Sequence, residues 1–275
     1  MYHRIDVTYM GYSLDMLKYL VNDSRYRIVN SIGVINRISD EQYSFLEEHK
    51  IPYKELKDKK EIDEIEPFIK KSQVILIYKF EFIIPTKLVK KYLFINFHGG
   101  CLKTNRGAHA VVWSILNRDK WTCMTMYKLI GGIDIGLVLG EYYVEIANEE
   151  NTYTLNRKLA QGIPMLLHNL FDYMNGNLEG KLISTGTYLR KITEADYTID
   201  IFNDDFETIK AKIRSQVMYA GAILVFEGKR YRVKSYAEEQ GINLEDLHYK
   251  MNVEANKLIV QNKNNLLVLS VVSEE

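Results

Sequence analysis

The sequence lacks net charge, cysteine clusters and long apolar runs. Lysine plus arginine and aspartate plus glutamate each total 36 among 275 residues, so no global field draws the chain onto nucleic acid or an acidic membrane. Its two cysteines, Cys101 and Cys123, do not have the spacing of metal ligands, and no metal site is expected. No apolar run could span a bilayer and the N-terminus has no signal-peptide pattern. We therefore expect a cytoplasmic protein without a membrane partner.

Glycine is scarce where a dinucleotide-binding fold needs it. The first predicted strand-to-helix turn contains only Gly11, whereas close approach of a backbone to a pyrophosphate requires repeated glycines. NAD is therefore not expected. The hydrophobic content of 47% in 275 residues is enough for one full α/β core and a smaller appended unit.

Hydrophobic patterning predicts strands that alternate with helices. Residues 4–10 are expected to form an opening strand, and Ser13 is expected to cap a helix that carries leucines at helical spacing. A second strand over 27–35 leads to a helix over 40–49, whose first turn Asp40 is expected to cap. Such alternation favours an α/β fold with a mostly parallel sheet.

The same alternation continues toward residue 180. An almost uninterrupted apolar run at 72–78 is typical of a strand covered on both faces. The helical pattern over 152–174 contains Pro164, which predicts a break. The other predictions here are strands at 94–98, 123–129 and 137–146, a short helix after Pro85, and a helix over 108–117.

A domain boundary is predicted near Gly180, after a stretch rich in glycine and asparagine. It divides the chain into a larger domain over 1–180 and a β-rich region over 181–275. Residues 226–230 are expected to form a hairpin turn. The strands predicted in the second region cover 222–226, 230–236, 257–261 and 266–272.

Two polar side chains end the strand predicted at 94–98. Asn96 and His98 are two residues apart, so they leave the same face of the strand and can meet one ligand. The ends of strands in parallel sheets are where ligand-binding crevices form. Downstream, Asp134 stands in a glycine-rich segment. Taken alone, the three also have ordinary interpretations, as a loop-capping asparagine, a surface histidine and a turn aspartate.

Two ordered blocks surround these side chains. Residues 96–100 read Asn-Phe-His-Gly-Gly, and they are followed by Arg-Gly-Ala-His at 106–109 and Trp-Ser-Ile-Leu-Asn at 113–117. The second block reads Gly-Ile-Asp-Ile-Gly at 132–136. The blocks resemble the two signatures of the folate-dependent formyltransferase family, in the family's order and at its interval. Further stretches, among them 9–11, 190–193, 213–215 and 228–232, are also similar to the family, so the resemblance covers roughly 4–236. It is strongest to the sugar N-formyltransferases.

The resemblance implies a Rossmann-like catalytic domain, with helices on both faces of the sheet, that transfers a formyl group from 10-formyltetrahydrofolate to an amine. Asn96 would donate to the developing oxyanion, and His98 would act as base or proton shuttle. Asp134 would accept a hydrogen bond from the imidazole or from an intervening water. The residues implied in folate binding are Phe80, Glu81, Phe82, Ile130, Gly131, Gly132 and Ile133. Ordinary core packing is the alternative for the two phenylalanines.

The family's acceptors are methionyl-tRNA, a purine-pathway ribonucleotide and nucleotide-linked amino sugars. Zero net charge weakens the footprint expected for tRNA, and Gly99 replaces the proline usual in the purine enzyme. The resemblance to the sugar N-formyltransferases implies a dTDP-linked 3- or 4-amino-dideoxyhexose as the leading acceptor, with a product that enters O-antigen synthesis for lipopolysaccharide. Methionyl-tRNA formylation is the alternative, and a catalytically silent folate- or nucleotide-binding regulator is a third hypothesis. The short strands after Gly180 and the family precedent favour a homodimer.

Three further residues are candidates for binding the anionic acceptor. Lys79 follows the strand predicted at 72–78, and Arg106 precedes the helix predicted at 108–117, so both would face the crevice. Ser13 lies at a helix start, where backbone N–H groups favour phosphate. The alternative interpretations are a solvated lysine, a helix-end arginine and simple N-capping.

Overall fold

The computed structural model describes residues 4–240, 248–252, 256–262 and 265–274. Contacts divide the chain into two compact units, each made of several segments. The first unit comprises Met1–Gly107, Cys123–Val144 and Lys158–Tyr188, and the second comprises Ala108–Thr122, Glu145–Arg157 and Leu189–Glu275. The domain boundary expected near Gly180 stays a prediction.

Strands and helices alternate through the first half of the chain and strands dominate its end. The strands are β1 (Ile5–Gly11), β2 (Tyr26–Val34), β3 (Tyr53–Leu56), β4 (Val74–Tyr78), β5 (Phe94–His98), β6 (Trp121–Leu129), β7 (Gly136–Glu145), β8 (Lys181–Ile183), β9 (Thr198–Ile199), β10 (Ala222–Phe226), β11 (Lys229–Gln240), β12 (His248–Asn252), β13 (Lys257–Asn262) and β14 (Asn265–Ser273). The helices are α1 (Leu14–Asn22), α2 (Asp40–Glu48), α3 (Glu66–Ile69), α4 (Thr86–Lys91), α5 (Ala110–Leu116), α6 (Thr152–Ala160), α7 (Ile163–Met174), α8 (Glu194–Tyr197) and α9 (Phe206–Ser215), with a 3-10 helix at Lys59–Glu64.

The first sheet has the strand order β3-β2-β1-β4-β5-β6-β7-β8. The pairs from β3 to β5 are parallel, whereas β5 with β6 and β7 with β8 are antiparallel. The direction of the strand order reverses between β1 and β4. Because crossovers between parallel strands are right-handed, the helices of the two directions cover opposite faces. The predicted α/β fold with a mostly parallel sheet is confirmed.

Local capping explains how the first helices begin. The hydroxyl of Ser13 accepts from the backbone N–H of Met16, so the predicted cap of α1 is confirmed. The predicted cap of α2 is wrong by one residue. Ser39 accepts from the N–H of Gln42, and Asp40 is the first helical residue, where its charge favours the helix N-terminus.

The break predicted at Pro164 is also confirmed, because α6 ends at Ala160 and α7 begins at Ile163. The short elements were not predicted from the sequence, since few residues in each carry a periodic pattern. They are β3, the 3-10 helix, α3, β8, α8, β9 and β12. The longer helix α9 is not predicted either.

Aliphatic side chains form the core of the first unit. Strand β4 is buried at every position, as predicted for a strand covered on both faces. One cluster under this sheet joins strand residues such as Ile75 and Phe94 to helix residues such as Ile69 and Leu88. This packing holds β4 and β5 against the helices, and the ends of these two strands carry the polar residues described below.

The second unit contains a sheet of order β12-β13-β14-β11-β10-β9. Leu224, Val233 and Leu269 lie on one face and pack with Ile209 and Ile213 of α9. Among the described residues, no helix is long and apolar enough to cross a membrane.

Candidate active site

Strand β5 presents two polar side chains on one face. Asn96 and His98 are half-buried, whereas Phe97 between them is buried and its ring packs edge-on against Tyr78. This alternation follows from the two-residue period of a strand. The predicted common face of Asn96 and His98 is therefore confirmed.

A buried tyrosine connects Asn96 to Asp134. In the antiparallel pairing of β5 with β6, Tyr127 lies directly opposite Asn96. Asn96 Nδ2 donates to the Tyr127 hydroxyl at 2.8 Å, and that hydroxyl donates to Asp134 Oδ1 at 2.7 Å. Asp134 Oδ2 accepts from the backbone N–H of Gly107 at 2.6 Å. The carboxylate is thereby held by two donors from different segments.

After β6 ends, the backbone conformation of the following loop brings Asp134 back against β6. Gly131 and Gly132 have φ of 120° and 82°, and Asp134 has φ of 48°. The left-handed region suits glycine and is tolerated by aspartate, so this composition allows the tight loop between β6 and β7. The loop places the carboxylate against Tyr127, seven residues earlier.

His98 is oriented by a backbone carbonyl and lies near the carboxylate. Its Nε2 is 2.7 Å from the carbonyl oxygen of Asn105. Because a carbonyl only accepts, Nε2 carries a proton, which leaves Nδ1 as the basic nitrogen of the neutral ring. Nδ1 lies 3.8 Å from Asp134 Oδ2, too far for a direct hydrogen bond but close enough for charge attraction once the ring is protonated.

The local electrostatics keep Tyr127 a neutral phenol. Burial and then the negative charge of Asp134 hold the pKa of Tyr127 well above its ordinary value. The hydroxyl therefore keeps its proton and remains a donor toward the carboxylate.

The loop after β5 is tied back to β6. Cys101 and Cys123 form a disulfide with Cα atoms 5.2 Å apart, and Thr125 Oγ1 donates to the carbonyl of Gly100 at 2.9 Å. The sequence alone does not predict this pairing. Backbone N–H groups of Thr104 and Asn105 donate to the carbonyl of Cys101, which turns the loop so that Asn105 reaches His98. Among the described residues, no group of three or more His, Cys, Asp or Glu could hold a metal ion.

A second polar region lies at the reversal between β1 and β4, where open α/β sheets form their ligand crevice. Gly11 is required there because a Cβ would lie 1.9 Å from the carbonyl oxygen of Tyr78. Ser13 is buried at 6% exposure, its N–H donates to the Tyr9 hydroxyl, and its own hydroxyl caps α1. The hydrogen bond from the Met16 N–H thus directly supports the interpretation of Ser13 as a helix cap.

Lys79 follows β4 in this region with a left-handed φ of 55°. Its ammonium lies 5.4 Å from the centre of the Tyr78 ring, and burial lowers the pKa of Lys79 despite the charge of Asp15. The Tyr78 hydroxyl is buried without a hydrogen-bond partner among the described residues. A lysine with incomplete solvation and an unsatisfied hydroxyl are groups that an anionic ligand could pair.

The residues implied in folate binding divide into two groups. The rings of Phe80 and Phe82 pack edge-on, with centroids 5.7 Å apart, and both contact the core of the first unit. Glu81 forms an ion pair with Arg37. The other group occupies the loop between β6 and β7, where Ile130 is 47% and Ile133 is 44% exposed and Gly131 and Gly132 separate them. Large apolar side chains exposed on a glycine-rich loop can cover a flat ring.

Arg106 is anchored to backbone. One guanidinium nitrogen donates to the carbonyl of Gly186 at 2.6 Å, and its backbone N–H donates to the carbonyl of Thr187. Its Nε is buried and has no hydrogen-bond partner in the part of the chain that the structure describes. No contact joins Arg106 to Lys79 among the described hydrogen bonds and ion pairs.

Sequence reasoning missed Tyr127, Asn105 and Gly107, which complete the site through one hydroxyl, one carbonyl and one N–H. The one local signal for Tyr127 is a polar-tipped aromatic, in a strand that also contains Thr122, Thr125 and Lys128. Its pairing with Asn96 depends on the register of β6, which the sequence pattern does not specify.

The chain is similar to known proteins in sequence and in fold. Residues 36–168 match the family model described as Formyl transferase. The chain is 30% identical over 205 residues to a methionyl-tRNA formyltransferase from Ehrlichia canis (strain Jake), in an alignment that covers 74% of this chain and 66% of that protein. The chain thus spans just under two thirds of that relative's length.

Two solved structures share the fold. HypX from Aquifex aeolicus in complex with tetrahydrofolic acid superposes with a TM-score of 0.72 at 14% identity, over 99% of this chain and 45% of that chain. The N-formyltransferase from Helicobacter canadensis, in complex with folinic acid and dTDP-3-aminofucose, gives 0.66 at 15% identity, over 98% of this chain and 100% of that chain. At these identities the likeness shows the fold alone. The formyl transferase family model thus matches somewhat less than half of this chain, and the two solved structures share its fold.

Proposed function

We propose that this protein is a sugar N-formyltransferase. It transfers the formyl group of 10-formyltetrahydrofolate to the amine of a nucleotide-linked sugar, with a dTDP-linked 3- or 4-amino-dideoxyhexose as the leading acceptor. The observation that carries formyl transfer is the convergence of Asn96, His98 and Asp134 at the end of β5, connected through Tyr127.

The chemistry requires one group for each charge that forms. When the amine attacks the formyl carbon, the carbonyl oxygen becomes an oxyanion and the attacking nitrogen becomes cationic. One N–H of the Asn96 amide donates to Tyr127, and the other N–H donates to the oxyanion. His98 takes the amine proton on Nδ1, since Nε2 already carries one.

Product formation returns the proton. As the tetrahedral centre collapses, the bond from carbon to the folate nitrogen breaks, and the His98 proton passes to that nitrogen. The products are an N-formyl sugar and tetrahydrofolate. Asp134, at 3.8 Å from Nδ1, stabilises the imidazolium between the two proton transfers.

The two substrates are proposed to contact different residues of the first unit. The pterin is proposed to contact the loop at 130–133 and residues 80–82. The acceptor's diphosphate is proposed to bind at the reversal of the sheet, with Lys79 as cation. The lowered pKa of Lys79 and the unpaired Tyr78 hydroxyl support this, because both gain from an anionic partner. Arg106 and Ser13 stay candidates, and each already has a protein partner.

The choice of acceptor rests on charge and on one structural relative. A protein with 36 basic and 36 acidic residues has little field for a long phosphate backbone but can bind one diphosphate. The Helicobacter canadensis structure that shares this fold was solved with dTDP-3-aminofucose. The N-formyl sugar is proposed to enter lipopolysaccharide O-antigen synthesis. Methionyl-tRNA is the second candidate, favoured by the Ehrlichia canis relative.

A direct assay separates the candidates. The purified chain is incubated with 10-formyltetrahydrofolate and either a panel of amino-sugar nucleotides or charged initiator tRNA, and products are identified by mass. We expect a formylated dTDP-sugar to form much faster than formylmethionyl-tRNA. Product from tRNA alone would replace the sugar proposal with the alternative. Folate binding without product from any acceptor would favour the silent regulator.

A further inference from the structure

Tyr127 is placed where it can orient two reacting groups at once. Its side chain is buried at 2% exposure, and its hydroxyl lies between Asn96 Nδ2 at 2.8 Å and Asp134 Oδ1 at 2.7 Å. Neither a signature motif nor the expected catalytic set includes this residue. The hydroxyl is therefore an unassigned polar group at the centre of the site.

Proton counting gives the contact a direction. An ionised carboxylate only accepts, so the single phenol proton is directed to Asp134. The phenol oxygen must then accept from Asn96, which requires the amide nitrogen and not the amide oxygen to face Tyr127. The second Nδ2 proton of Asn96 remains available for a ligand. Without the hydroxyl, nothing in this chain of contacts distinguishes the two flipped orientations of the amide.

The ring itself is held in place from behind. Gly136, the first residue of β7, approaches so closely that a Cβ there would lie 2.5 Å from Tyr127 Cδ2 and 2.2 Å from the carbonyl oxygen of Lys128. A glycine at a close approach lets one strand pack directly on an aromatic ring. The hydroxyl is consequently fixed from one side by packing and from the other by Asn96 and Asp134.

We propose that Tyr127 is a positioning residue that selects the amide orientation of Asn96 and fixes the Asp134 carboxylate beside His98. The inference rests on the proposed formyl transfer, in which Asn96 donates to the oxyanion. A flipped amide would present its oxygen to that charge and repel it. Loss of the hydroxyl therefore weakens transition-state stabilisation and leaves substrate binding largely intact.

The kinetic test uses Tyr127→Phe, which removes only the hydroxyl. We expect kcat to fall about 10- to 100-fold, with KM for both substrates within about twofold of wild type. In an Asn96→Ala background, the same substitution should change the single-turnover rate much less, because its main route of action is gone. An undiminished effect in that background, or a wild-type kcat for Tyr127→Phe alone, would overturn the proposal.

Tyr26→Phe is the matched control. The Tyr26 hydroxyl is also buried and donates to the carbonyl of Leu167 at 2.5 Å, in contact with none of the proposed catalytic residues. Its loss should lower the melting temperature and leave kcat unchanged. An equal fall in kcat for both variants would mean that Tyr127 acts only through general stability.

A spectroscopic measurement tests the geometry without any acceptor. In protein labelled with 15N-asparagine, and with Asn96→Ser used for assignment, one of the two Asn96 Nδ2 protons should exchange slowly with solvent. That protection should disappear in Tyr127→Phe. Two fast-exchanging protons in the wild type would refute the positioning role. If protection is found but no acceptor is ever formylated, the proposed function fails and the orientation of Asn96 by Tyr127 stands.

Discussion

At the scale of single residues, the candidate site contains three side chains that serve the two charges of the proposed reaction, the oxyanion and the cationic amine. Asn96 has one N–H left for an oxyanion, His98 has one basic nitrogen, and Asp134 faces that nitrogen at 3.8 Å. Each function has one provider among these residues, so none can replace another.

We therefore expect Asn96→Ala, His98→Ala and Asp134→Ala each to lower kcat by about 100-fold or more without loss of folding. Because the groups act together, a double variant should lose much less than the product of two single effects. Steady-state kinetics with circular dichroism measures both. His168→Ala, a largely exposed histidine paired with Asp172, is the control and should keep its turnover. Near-normal turnover in two of the three variants would remove the catalytic assignment.

Lys79 allows a test in which stability and function move in opposite directions. Its folded-state pKa lies below the unfolded value because burial disfavours the charged form. Between the folded and unfolded pKa values the unfolded chain binds more protons, so stability rises with pH there, and below both values the cost of the buried charge is fully present. Lys79→Met should consequently stabilise the protein at neutral pH, with a gain that vanishes above the unfolded pKa of about 10.4.

The same variant should raise KM for a diphosphate-linked acceptor, since it removes the proposed cation. Denaturation at pH 7 and near pH 10.5, together with acceptor kinetics, gives both readouts. Lys87→Met is the comparison, because Lys87 is largely exposed and pairs with Asp63. A stabilised Lys79→Met enzyme with unchanged acceptor KM would show that Lys79 has no part in binding.

At the scale of elements, backbone conformation specifies the hairpin between β10 and β11. Glu227 and Gly228 are the two residues between the paired positions Phe226 and Lys229, with φ of 49° and 75°. Two consecutive left-handed residues define a type I′ turn, whose twist matches that of the strands. The hairpin predicted from the sequence is confirmed, and its turn type comes from the structure.

Gly228→Ala tests this turn with little interference from packing, because no heavy atom among the described residues comes within 4 Å of the Cβ it would add. We expect a loss of about 1 to 2 kcal/mol of unfolding free energy from the left-handed conformation alone. Glu227→Asn should cost nothing or stabilise, since asparagine tolerates this region better. Urea denaturation compares the variants, and an unchanged midpoint for Gly228→Ala would argue against the type I′ geometry.

At the scale of the whole molecule, the prediction concerns assembly. A homodimer is expected because the strands are short with little core and because their edges need covering. The first reason is weakened, because the second sheet buries its own cluster with α9. The second reason stands, since β12 and β9 end the sheet and the exposed Val225 and Val272 lie on its outer face.

We therefore still expect a homodimer through the region after Gly180. Sedimentation velocity over micromolar concentrations should give the mass of two chains. Val225→Asp and Val272→Asp should shift the equilibrium toward monomer, because a charge on a covered apolar face is costly. A single-chain mass at every concentration in the wild type would rule this assembly out.

The sequence by itself determined most elements and half of the site. Periodicity of two put Asn96 and His98 on one face of β5, and an all-apolar run marked β4 as a doubly covered strand, because these patterns are local and encode burial directly. The resemblance of residues 96–100 and 132–136 to the family signatures brought Asp134 into the same site.

The tertiary structure decided how these residues are connected. Tyr127 reaches Asn96 through the register of two antiparallel strands, and Asp134 returns to Tyr127 through left-handed backbone. The contact of Asn105 with His98 and that of Arg106 with Gly186 likewise join separate segments. Such contacts depend on strand register and loop conformation, which are set by packing across the whole unit, so no local pattern in the sequence specifies them.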